Sequence, residues 1–65
     1  FDYPGTPVGL GSKGVHASLV QAIIGAKTDG DFGAKSVEAL KAWQKANGLT
    51  TDGSVGPITW KKMFG

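Results

Sequence analysis

Two pairs of closely spaced oxygen ligands, Asp29-x-Asp31 and Asp52-x-Ser54, are the first residues in this chain whose type and spacing could do chemistry. Duplicated loops of this kind hold calcium in many proteins, but the coordination count fails here. A loop beginning at Asp29 needs an oxygen at its fifth position and a carboxylate at its twelfth, and those places hold Gly33 and Leu40; the loop from Asp52 offers Gly56 and Met63. Two side-chain ligands cannot replace a shell of roughly 6–8 oxygens, so no metal is expected. His16 is the single histidine, and one imidazole cannot build a zinc site that needs several protein ligands. Glu38 lies between Lys35 and Lys41, which favour its charged form, the opposite of what a general acid requires. There is no cysteine, and no serine has a histidine with an orienting acid, so nucleophilic catalysis fails on inventory. Gly9-Leu10-Gly11-Ser12-Lys13-Gly14 matches GxGxxG, but no strand precedes it and no βαβ unit fits; it reads as a lead into a helix capped by Ser12. Neither catalytic residues nor a cofactor is expected.

The remaining candidates are aromatic and cationic. Trp43 and Trp60 could stack on a ligand, yet both fall in apolar stripes, where packing is the first use of a large ring. Seven Lys against five acids give a net charge of +2, spread along the chain, which suits mild attraction to an anionic polymer. Lys41 and Lys45, one helical turn apart, repel weakly. The absence of Arg counts against reading bases or phosphates, so no nucleic-acid partner is expected. No apolar run approaches the roughly 18 residues of a membrane span, and no signal-peptide pattern opens the chain. Phe1 in place of Met suggests processing or excision from something longer.

The elements that must position these residues are few. Sixty-five residues make one domain, which hides only about 60% of its unfolded surface. Residues 1–11, with Pro4, Pro7 and three glycines, read as a linker or extended arm, and 12–65 as the domain. The spacing predicts one helix over about 13–24, with Val15, Leu19 and Ile23 at i, i+4, i+8, Val20 and Ile24 beside them, and Gly25 as its stop. A second, the longest, runs from after Gly33 to Asn47-Gly48 with Val37, Leu40 and Trp43 inward. A third, of about two turns, starts at Pro57 and carries Trp60, Met63 and Phe64. Leu49, Val55, Ile58 and Phe32 complete the expected core. The fold class is all-α: a three-helix bundle with two equivalent Thr-Asp-Gly turns, preceded by the arm.

Those turns belong to an internal repeat. Gln21-x-x-x-Gly25-x-x-Thr28-Asp29-Gly30-x-Phe32-Gly33 recurs as Gln44-x-x-x-Gly48-x-x-Thr51-Asp52-Gly53-x-Val55-Gly56 at a constant offset of 23 residues, and Ser36 and Thr59 extend the match. Asp-Gly suits a turn, the apolar residue can plug the core, and the following Gly can let the chain enter a helix unobstructed. Gln21 and Gln44 are placed to bond the turn backbone, and the hydroxyls of Ser36 and Thr59 to reach back toward it.

On Leu19-Val20-Gln21, Thr28-Asp29-Gly30-Asp31-Phe32-Gly33, Ser36, Ala39, Trp43-Gln44, Gly48-Leu49-x-x-Asp52-Gly53-x-Val55-Gly56 and Thr59-Trp60, the chain resembles the type 1 peptidoglycan-binding domain, over about residues 12–64. Trp43 stands where that family often has Phe, and Ser36 where it often has Thr. The resemblance implies a non-catalytic, monomeric, extracellular module, secreted or phage-released. Such a module anchors a covalently linked hydrolase of endolysin or autolysin type to wall peptidoglycan, through glycan or stem peptide. A latency module packed on a partner enzyme, like the family's pro-domain relatives, is the first rival; a small helical DNA-binding domain is the second. Positions shared by the two units should serve turn and core, leaving polar positions that differ for ligand. Asp31 pairs with Ser54, Lys35 with Ile58 and Asn47 with Ile24; with Trp60 and Lys61 these give the expected ligand-binding set Asp31, Lys35, Asn47, Trp60 and Lys61.

Overall fold

Three glycine-punctuated helices form where the periodicity places them: in the computed structural model, which describes residues 2–65, α1 is Val15–Ile24, α2 Ala34–Ala46 and α3 Pro57–Phe64. The reading of Phe1 as a processed start lies outside the described residues. Together they make an all-α three-helix bundle, and Phe32, Leu40, Val20 and Val55 are fully buried at its centre with Ala17, Trp60 and Val8. α1 stops at Gly25, whose φ of 78° is left-handed, and Ala26 N–H closes the end on the Gln21 carbonyl at 3.0 Å. α2 ends the same way one repeat later, with Leu49 N–H on the Gln44 carbonyl at 2.9 Å and Gly48 at φ 69°. Pro57 opens α3, where its missing N–H removes no helical bond.

The buried stripe of α1 differs from the expected one. It is Ala17, Val20 and Gln21, with the expected Leu19 and Ile24 packed beside them, whereas Val15 is 72% exposed and Ile23 39%. The i, i+4, i+8 series from Val15 drifts around a 3.6-residue helix, and the fold selects the neighbouring stripe because Gln21 must point inward to reach the turn. Ile58 is likewise corrected: at 77% exposed it stands outside the core, while Trp43 and Leu49 are half-buried. Ser12 does not cap α1; Gly14 holds that position without a side-chain bond, and Ser12 Oγ instead accepts the Gly9 N–H at 3.0 Å, closing a turn through the GxGxxG stretch.

The extended N-terminal segment packs along the bundle. Val8, 3% exposed, forms an antiparallel bridge with Val55: each N–H donates to the other's carbonyl, at 3.2 and 2.7 Å. A few residues on, Phe32 N–H donates to the Ser12 carbonyl and Gly11 N–H to the Phe32 carbonyl, both at 2.9 Å. The segment therefore stitches the core plug of each repeat unit in turn. Tyr3 adds an edge contact to Trp60, centroids 6.0 Å apart.

Candidate functional site

A buried glutamine amide organises each turn. Gln21 Nε2 donates toward Asp29 Oδ1 (3.0 Å), the Asp31 carbonyl (3.0 Å) and Ser36 Oγ (3.1 Å), and its Oε1 accepts the Gly30 N–H at 2.9 Å. Gln44 repeats the pattern: Nε2 toward Asp52 Oδ1, the Ser54 carbonyl and Thr59 Oγ1 at 3.0, 3.0 and 3.5 Å, with Gly53 N–H on Oε1 at 3.0 Å. Both amides are fully buried, and no buried side-chain polar atom among the described residues lacks a partner. Each aspartate also accepts the N–H two residues on, from Asp31 and Ser54, at 3.0 Å. Those backbone bonds, then the glutamine bonds, hold both carboxyls below the usual aspartate value; Lys27 adds a smaller coulombic contribution at Asp29. The repeated residues thus serve structure, and one carboxylate oxygen of Asp29 and of Asp52 is committed to it, while both carboxylates also border the clefts described next.

Beside each knot lies a cleft. The first, of about 430 Å³, lies between the turn and α2 and is bordered by Lys27, Asp31, Gly33 and Lys35. The second, of about 210 Å³, lies between the other turn and α3 and is bordered by Thr50, Ser54, Gly56 and Ile58. All eight residues lining the second sit 23 positions after one lining the first, so the clefts are repeat-related. Both share the turn aspartate, Asp29 or Asp52, but the rest has diverged: Lys27, Asp31 and Lys35 correspond to Thr50, Ser54 and Ile58, three ionised side chains against three neutral ones. A larger, shallower concavity of about 500 Å³ runs along α1 past Val15 and Leu19, where Asp29, committed to its turn, is the only ionised group.

The structure brings Asp31 and Lys35 together at the first cleft and disperses the rest of the expected set. Asn47 lies at the end of α2, where its Nδ2 donates to the Trp43 carbonyl at 2.9 Å and so finishes the helix. Trp60 is 3% exposed, its ring within 6.0 Å of those of Tyr3, His16 and Phe64. Lys61 borders an apolar depression with Lys62 that adjoins the second cleft through the shared Leu49 and Ile58. Lys27 is the cleft residue that sequence reasoning missed; its counterpart Thr50 differs from it in the same way as Lys35 from Ile58, so the repeat comparison carried across every position would have found it.

The expectation that Gly33 and Gly56 are needed for unobstructed helix entry does not hold. Their φ values are −98° and −84°, open to any residue, and a Cβ added at either would meet nothing within 4 Å.

Residues 17–63 match the model of the family described as "Putative peptidoglycan binding domain". An uncharacterized protein in the bpoA1 3' region of Kitasatospora aureofaciens is 45% identical over 42 residues, 65% of this chain and 36% of that protein. The crystal structure of a peptidoglycan-binding protein from Clostridioides difficile, in complex with glutamine hydroxamate, superposes with a TM-score of 0.83 at 30% identity. The likeness covers 89% of this chain and 40% of that one, so the chain spans well under half the length of both relatives.

Proposed function

Because the chain belongs to the peptidoglycan-binding domain family, a family of binding modules and not of enzymes, we propose that it anchors an attached cell-wall hydrolase, of endolysin or autolysin type, to its substrate. In this reading the module works outside the cell, as a monomer, and the linked domain does the chemistry. The observation that supports a particular face is the first cleft: Lys27, Asp31 and Lys35 border it at positions where the repeat-related cleft is neutral. A module of this kind needs little intrinsic affinity. Tethered to an enzyme and facing a polymer with many identical sites, it gains effective concentration from the tether.

The test is retention on purified insoluble peptidoglycan, with and without teichoic acids. Retention should persist on teichoic-acid-free material, and Lys35→Ala or Asp31→Ala should reduce it several-fold with the melting temperature unchanged. Retention that vanishes with the teichoic acids would reduce the module to a cation adhering to polyanions. A latency role has one observation in its favour, the exposed apolar side of α1 around Val15 and Ile23; it requires that the chain bind its own catalytic domain and ignore the wall polymer.

A further inference from the structure

Of the chain's eleven glycines, eight adopt positive φ and so meet a backbone need. Gly9 is wedged, since a Cβ there would sit 3.3 Å from the Gly53 carbonyl. That leaves Gly33 and Gly56, which are repeat-related and have ordinary extended backbone and open space where a side chain would go. The fold does not ask for glycine at either position. Both precede a helix at the cap position without a side-chain cap, and a capping Ser, Thr, Asn or Asp would serve there at least as well as glycine. What sets the two apart is their place: each lies on the border of one of two equivalent clefts, with open space where a side chain would stand. Glycine there keeps the cleft clear and lets a ligand approach the backbone.

We infer that both clefts are ligand subsites, opened by Gly33 and Gly56, and that each takes a stem peptide of peptidoglycan and not its glycan; this rests on the wall-binding reading above. The two-signed border of the first cleft carries the choice of ligand. Lys27 and Lys35 call for a carboxylate and Asp31 for an amine, and a stem peptide offers both, whereas a strand of acetylated amino sugars offers no cation. The second cleft, with Leu49 and Ile58 beside the hydroxyls of Thr50 and Ser54, keeps only the carboxylate of Asp52 and no cation, which suits an alanyl-type portion of such a peptide next to an amine. Two unlike subsites in a molecule whose longest extent is 26 Å can engage neighbouring stems together.

The experiment uses the 65-residue chain and the variants Gly33→Thr, Gly56→Thr and both together. Threonine accepts the extended backbone and can cap the helix, so melting temperatures should hold or rise. Each single variant should nevertheless lose several-fold in retention on insoluble peptidoglycan, and the double variant nearly all of it. A soluble stem peptide with free carboxylate and amine should displace the parent chain and shift the backbone amide resonances of Gly33 and Gly56. Peptide-free glycan strands should do neither. Threonine variants retained as well as the parent would show the glycines to be mere helix leads and overturn the inference while leaving wall binding intact. Displacement by glycan alone would overturn the peptide assignment. A parent chain that is not retained at all would remove the wall-binding reading itself, and this inference with it.

Discussion

Gln21 and Gln44 each spend both ends of one buried amide on a turn closed eight or nine residues downstream. Leucine has nearly the same volume but cannot bond, so Gln21→Leu or Gln44→Leu would orphan a turn N–H and a helix-start hydroxyl. We expect each to cost about 1–3 kcal/mol in urea unfolding. The turn aspartates set the pH response. Their carboxyls are held below the ordinary value of 3.8, first by the N–H two residues on and then by the glutamine. A depressed folded value means stabilisation that is fully present above 3.8 and lost as the pH falls through the lower folded value. Asp29→Asn and Asp52→Asn keep an acceptor at the same place without the charge. They should flatten the acid limb of a stability–pH curve, and an acid limb unchanged in the double variant would show that these two groups do not drive it.

At the scale of elements, the helices and turns were legible because glycine, proline and the repeat mark every boundary, as Gly25, Gly48 and Pro57 show. The face that α1 buries was not. Its sequence has apolar residues on two adjacent stripes, and hydropathy cannot choose between Val15-Leu19-Ile23 and Ala17-Val20-Ile24 unless Gln21 is recognised as an inward group. Val8 was missed for a different reason: an extended segment rich in Pro and Gly has no periodicity, and its partner Val55 is 47 positions away. Asp31 and Lys35 were legible as a pair from the repeat, but their shared cleft depends on packing of the turn against α2. The exposed side of α1 and the bundle centre give a direct contrast in thermal or urea melts. Val15→Ser should change stability by no more than about 0.5 kcal/mol, whereas Leu40→Ala at the bundle centre should cost about 2–5 kcal/mol. Val8→Ala, in what composition alone marks as a linker, should cost about 1–3 kcal/mol.

At the scale of the whole molecule, a net charge of +2 spread over the surface supplies a weak, long-range attraction that salt screens within about 10 Å at 0.1 M ionic strength. Retention on the wall polymer should therefore fall by no more than a few-fold between low and moderate salt, and a collapse over that range would indicate charge alone. The N-terminal segment has a kinetic consequence. The amide hydrogens of Val55 and Phe32, one in each unit, both point to carbonyls of that segment, of Val8 and Ser12. Neither can exchange with solvent deuterium until the segment lifts. Lifting in one piece would give the two amides a common opening free energy, below that of amides in the middle of α2. Peeling from the N-terminal end would free Val55 before Phe32, because Val8 leads Ser12 along the chain, and Val8→Ala would then speed exchange at Val55 alone. The second turn, although later in sequence, would be the first to breathe.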